Sequence, residues 1–300
     1  MLHRLSFSTS SGWLYRPSFL VAFAPLALVL LAFAAGCGGP SASAGPTSAA
    51  QTTAPAVSPS STPATSTAPS PSPTPAPLRT PSAALPLRLK AYGDSVGGGL
   101  AWAMTEKVAA HPLVKLWVFY KPSTGLARPD YFSWPRRIAQ DFAHHSYEAV
   151  VFMSGANDGQ GMTAAGHVLA FGSKAWLAEY HRRVGALMDL FLRDRVKRLY
   201  WVGMPHMADP AFSRLMKTIN AVYRQEAATR APSVVYIDSW RILDGRRGTC
   251  KGGLRQPDGV HLAPSGSFLL ADAVYRIIET DWHIRPREAH PASPGRCGPR

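Results

Sequence analysis

From Leu87 onward the chain alternates short runs of β-branched and aromatic residues with longer stretches of helical periodicity. Five runs predict strands: "LRLKAY" (87–92), "LWVFY" (116–120), "AVVFM" (149–153), "LYWVG" (199–203) and "VVYID" (234–238). Helices are expected near 98–110, 134–145, 174–193 and 211–230; the third carries Trp176, Leu177, Tyr180, Val184, Leu187, Met188 and Phe191 at i, i+3, i+4 spacing. A last helix, about 265–280, puts Phe268, Ala271, Tyr275 and Ile278 on one face. Strands alternating with helices in this way predict an α/β domain around a parallel sheet. Loops 121–133, 154–173 and 239–263 are long enough to build a site, and in open sheets ligands sit beyond the carboxyl ends of the strands.

The 86 residues before that domain read differently. Arg4 and Arg16 precede an uncharged apolar run, Phe19 to Ala35, of 17 residues with Pro25 inside it. A span needs roughly 20 apolar residues, so residues 1–36 read as an export signal, with a retained anchor as the alternative. Ala34-Ala35-Gly36-Cys37 resembles a bacterial lipobox, in which the cysteine becomes the lipidated N-terminus; simple secretion is the alternative to a lipoprotein. Residues 37–86 hold 12 of the 27 prolines, no aromatic residue, no acid and a single base, Arg79. That composition cannot bury a core and predicts a disordered, extended tether.

Charge and cysteines add context. Three of the 32 lysines and arginines precede residue 87, leaving 29 against 18 acids in the domain and its basic tail, 283–300. Such an excess suits anionic lipid headgroups or phosphate-bearing wall polymers better than nucleic acid, for which no basic-aromatic motif is present, and no nucleic-acid partner is expected. A solvated basic surface explains it equally. With Cys37 assigned to lipid, Cys250 and Cys297 are free to pair as a disulfide or to remain thiols.

The candidate chemistry begins at "AYGDSVGGGL" (91–100). Gly93-Asp94-Ser95-Val96-Gly97 fits the G-x-S-x-G nucleophile elbow, but that elbow follows several earlier strands and takes an oxyanion donor from one of their loops. Only one strand precedes Ser95. Further on come "PSTGLARPDYFSWP" with Gly125 after strand two, "SGANDGQ" with Gly155 and Asn157 after strand three, and "PDGVHLAPSG" with Asp258 and His261 before the last helix. Gly-Asp-Ser, a glycine, Gly-x-Asn-Asp and Asp-x-x-His in this order resemble the SGNH (GDSL) hydrolases, over about residues 88–280, and in particular a branch of bacterial envelope proteins. The resemblance implies a flavodoxin-like three-layer sandwich with a five-stranded parallel sheet over 87–282, and ester hydrolysis by a serine nucleophile.

By that resemblance Ser95 is the nucleophile, His261 the base and Asp258 the carboxylate that orients the imidazole. The residue types fit the chemistry: a hydroxyl needs a base within hydrogen-bond reach, and the imidazole needs a partner that fixes its tautomer. The oxyanion donors implied are the backbone N–H groups of Ser95 and Gly125 and the side-chain amide of Asn157. Gly125 as glycine would permit close backbone approach and a positive φ; an ordinary turn glycine reads as well, and Asn157 could be a turn former. Asp94 and Asp158 are expected to hold loops. Trp102, Tyr131, Phe132 and Trp134 could line a sugar-binding groove, although such aromatics are more often core.

Neither a phosphate-binding glycine pattern nor metal-ligand spacing is present, so no cofactor and no metal are expected. The expected function is an envelope-anchored esterase acting on acyl, chiefly O-acetyl, esters of cell-wall glycans from the outer face of the membrane. An O-acyltransferase using the same triad, and a non-catalytic envelope-binding protein that kept the fold, are the alternatives. No oligomeric state follows from the residues.

Overall fold

The computed structural model describes residues 77–109, 111–193, 195–244 and 253–284. Five strands, β1 (Leu87–Gly93), β2 (Val114–Tyr120), β3 (Ala149–Met153), β6 (Arg198–Val202) and β7 (Val234–Ile237), form one parallel sheet in the order β2-β1-β3-β6-β7. This is the flavodoxin-like order, with its switch point between β1 and β3. All five residues of β3 are buried, as a central strand covered on both faces requires.

Among the described residues six helices accompany the sheet: α1 (Ser95–Val108), α2 (Trp134–His144), α3 (Lys174–Arg193), α4 (Pro210–Ala228), α5 (Ser239–Asp244) and α6 (Pro264–Asp281). Right-handed crossovers place α1 on one face and α2, α3 and α4 on the other. The contacts agree: α1 packs on α6, which also meets α5, while α3 packs between α2 and α4. Trp134, Phe152, Phe191 and Trp201 fill the α2/α3/α4 side, with the Phe152 and Trp201 rings 4.5 Å apart. Among the described residues no helix is long and apolar enough to cross a membrane.

Several expectations are corrected. The stretch 154–173 is not all loop: β4 (Met162–Ala164) and β5 (His167–Leu169) form a hairpin closed by Ala165 and Gly166, both with positive φ (47° and 78°), as tight primed turns demand. The stretch 239–263 opens with the short helix α5.

The domain also begins before residue 87. Arg79, expected in the tether, donates from Nε and Nη2 to both carboxylate oxygens of Glu148 at 2.7 and 2.6 Å, from Nη1 to the carbonyl of Leu85 and from Nη2 to that of Pro86, and Leu78 packs on the core. At the other end Trp282 and Ile284 are buried, so the first residues assigned to the tail belong to the domain. The apolar leader, Cys37, Cys250, Cys297 and residues 285–300 lie outside the described residues.

Candidate active site

Ser95 is the first residue of α1, directly after the carboxyl end of β1. The turn that presents it is held by Asp94, which is fully buried and caps the helix. Its Oδ1 accepts from Val96 N and Gly97 N at 2.9 and 3.1 Å, satisfying donors that a helix start leaves open. Its Oδ2 accepts from Gly155 N and Ala156 N at 2.9 and 3.1 Å, so one carboxylate ties the β1 turn to the loop after β3. Burial pushes this carboxyl above the usual range, and the four N–H donors pull against that rise.

Asp158 performs the same service between the loops after β3 and β2. It accepts from Leu126 N (2.9 Å), Ala127 N (2.7 Å) and Tyr180 Oη (2.7 Å). The carboxylate lies so close to Gly125 that a Cβ there would stand 2.1 Å from its Oδ1. Gly125 is therefore glycine because Asp158 occupies the space of a side chain; the positive φ expected for it is not found. Asn157 Nδ2 donates to Thr124 O at 2.9 Å, which orients the amide and leaves its second N–H uncommitted. The backbone N–H groups of Ser95 and Gly125 donate to no protein acceptor among the described residues. The three implied oxyanion donors thus come from three adjacent strand ends cross-linked by two buried carboxylates.

The base arrives from the opposite side. Leu254 to Ala263 forms a narrow loop with an antiparallel bridge between Arg255 and Leu262, closed by Gln256 N to His261 O (2.9 Å) and Ala263 N to Leu254 O (3.0 Å). At its tip Gly259 has φ 70°, a left-handed position, and its carbonyl accepts from Ala208 N at 2.8 Å. Asp258 Oδ1 accepts from Val260 N and His261 N, while Oδ2 lies 2.6 Å from His261 Nδ1. His261 Nε2 lies 2.9 Å from Ser95 Oγ. The hydrogen bond to His261 comes first among the causes that hold the Asp258 carboxyl down at about 2, so it is ionised at neutral pH. A carboxylate only accepts, which puts the imidazole proton on Nδ1 and leaves Nε2 to accept from the serine hydroxyl.

Ser95, Asp258 and His261 are thus brought into one chain of hydrogen bonds, with Gly125 and Asn157 on neighbouring loops. Thr124, Tyr180 and Tyr223 escaped sequence reasoning. Tyr223 Oη meets Tyr180 Oη at 2.9 Å and donates to Ser154 O at 2.6 Å, so both tyrosines brace the Asp158 loop from α3 and α4. Their helical spacing marks them only as core. Of the four aromatics considered for a groove, Trp134 is buried, Phe132 half-buried, and Trp102 and Tyr131 exposed. Among the described residues no group of three or more His, Cys, Asp or Glu side chains is placed to hold a metal ion.

A sheet of this order with a serine, an aspartate and a histidine at its carboxyl edge has the SGNH hydrolase architecture. Residues 88–277 match a family model described as "Protein of unknown function (DUF459)", and the chain belongs to that family. No curated protein matches the sequence. Among solved structures it is similar to the lipase/acylhydrolase from Enterococcus faecalis at 18% identity and a TM-score of 0.50, covering 68% of this chain and 100% of that one. At that identity the likeness is one of fold. A catalytic mutant of an acetylxylan esterase from Geobacillus stearothermophilus matches at 19% identity and TM-score 0.49 (67% and 97% covered). A candidate SGNH hydrolase from Slackia heliotrinireducens matches at 16% and 0.48 (64% and 99%).

Proposed function

We propose that this protein is a serine esterase that removes acyl groups, chiefly O-acetyl, from envelope glycans. The observation that supports it most is the unbroken relay from Asp258 through His261 to Ser95, at 2.6 and 2.9 Å, beside three N–H donors from cross-linked loops. Ser95 Oγ attacks the ester carbonyl carbon as its proton passes to His261 Nε2, and the carbonyl oxygen becomes an oxyanion held by Ser95 N–H, Gly125 N–H and Asn157 Nδ2. Collapse breaks the bond to the alcohol, which leaves with the proton from His261, and Ser95 carries the acyl group. Water then attacks this second ester, gives its proton to His261, and the acid departs as Ser95 recovers its proton.

The envelope setting rests on the apolar run before Cys37, the proline-rich stretch after it and the basic excess of the domain. In this reading Cys37 is lipidated and the domain works on the outer face of the membrane. Fractionation tests that part: the wild type should follow the membrane and Cys37→Ala the soluble fraction, and equal solubility would remove the anchor. The chemistry is tested by turnover of 4-nitrophenyl acetate and O-acetylated oligosaccharides by the purified chain. Hydrolysis lost in Ser95→Ala supports the reading, and hydrolysis retained in it ends the serine mechanism.

A further inference from the structure

Two large aromatic side chains stay exposed beside Ser95, and both border the helix that carries it. Tyr120, the last residue of β2, is in register with Gly93, two residues before the serine, and is 52% exposed. Trp102 is 44% exposed and lies seven residues along α1 from Ser95. Seven residues are about two turns and about 10 Å of rise, so Ser95 and Trp102 point from one face of the helix. Between Ser95 and Trp102 on that face stand Gly98, which is buried, and Gly99, where a Cβ would stand 3.0 Å from the Ser267 hydroxyl of α6. The Tyr120 ring covers Gly98 so closely that a Cβ there would stand 2.8 Å from the ring. On the other flank the Trp102 ring leans on Phe268 of α6, with centroids 5.0 Å apart, and α6 begins three residues after His261.

We propose that this strip is a carbohydrate subsite, which seats the sugar rings of an acylated glycan while the ester reaches Ser95. The proposal rests on the esterase reading of Ser95 and His261. A pyranose has one face of C–H bonds and a rim of hydroxyls, so it gains by covering a flat ring on one side while remaining wet on the other. Tyr120 and Trp102 offer that surface: supported rings that are 52% and 44% exposed. A long acyl chain has no polar side and would leave much of itself in water on such an open strip, where apolar burial drives binding. The spacing from Ser95 to Trp102 spans roughly two sugar units, so the subsite recognises an oligosaccharide rather than a single acetylated sugar.

The test compares full-length wild type, Trp102→Ala and Tyr120→Ala on 4-nitrophenyl acetate and on O-acetylated xylotetraose and N-acetylglucosamine tetramer. Each variant should raise KM for an acetylated tetrasaccharide about tenfold, leaving kcat and 4-nitrophenyl acetate turnover unchanged, because stacking holds ground and transition states alike. Trp102→Phe should restore most of the loss. Unchanged KM on both tetrasaccharides, with 4-nitrophenyl acetate turnover intact, overturns the subsite and leaves the esterase standing. A loss confined to long-chain acyl esters overturns it in favour of an acyl-chain groove. Calorimetry with the unacylated tetrasaccharides is independent of catalysis: saturable heat with wild type, lost in Trp102→Ala, upholds the subsite even if no ester is turned over. Absence of binding to wild type rejects it.

Discussion

Ser95 and His261 sit 2.9 Å apart, but the loops that carry them are held by different means. On the serine side, two buried carboxylates, Asp94 and Asp158, collect six backbone N–H groups from the loops after β1, β2 and β3, and Tyr180 adds a seventh hydrogen bond. On the histidine side, one narrow loop turns on itself, leaving the side chains of His261 and Asp258 36% and 45% exposed. Under the proposed esterase mechanism the difference follows from what each side must do. Oxyanion donors work by being in place before charge appears, so their loops must not yield. The imidazole has to receive and return a proton, and it needs only an orienting partner and a loop of the right reach. Buried carboxylates are expensive to desolvate but, once satisfied by N–H donors, resist rearrangement strongly.

The comparison can be broken at five residues. Ser95→Ala and His261→Ala should each lower kcat by at least about 10⁴-fold with an unchanged melting temperature, since nucleophile and base act as a unit. Next comes Asp258→Asn, which should cost about 10²–10⁴ in kcat. It should move the melting temperature by no more than about 2 °C, because the side chain is half-exposed. The folded Asp258 carboxyl, near 2, lies below its unfolded value of about 4. Whatever stability it adds is therefore present above that unfolded value and lost as pH falls toward 2, so kcat/KM between pH 4 and 9 should contain no limb from this group.

Asp158→Ala reverses the pattern. It orphans two buried backbone N–H groups, at about 1–3 kcal/mol each, and removes one of the two hydrogen bonds of the Tyr180 hydroxyl, so thermal unfolding should fall by roughly 10 °C, with kcat falling as the Gly125 loop loosens. Equal melting temperatures for Asp158→Ala and Asp258→Asn would erase the distinction between the two sides. The smallest change is expected for Asn157→Ala, at least about tenfold in kcat with little change in KM. A raised KM at constant kcat would make Asn157 a substrate-binding residue instead.

Much of this was legible from residues alone, for physical reasons. The strands of a covered parallel sheet are continuous apolar runs, and each motif sits at a strand end or just before the last helix, so the order of the blocks carried the fold and the triad together. What escaped was non-local. Nothing near Gly125 announces that Asp158, 33 residues away, fills the space of its side chain. Arg79 lies in tether-like composition, and its partner Glu148 is 69 residues distant. The β4–β5 hairpin has three residues per strand, too few for an alternation to register. Tyr180 and Tyr223 follow the helical period of core residues, and only the structure shows their hydroxyls meeting under the Asp158 loop.

The central claim is that Ser95 is a nucleophile activated by His261. Labelling the folded protein with a fluorophosphonate and locating the adduct by peptide mass spectrometry tests it most directly. One adduct is expected, on Ser95, formed rapidly in wild type and at least about 10³-fold more slowly in His261→Ala. An unlabelled Ser95, or equal rates with and without the imidazole, would contradict it.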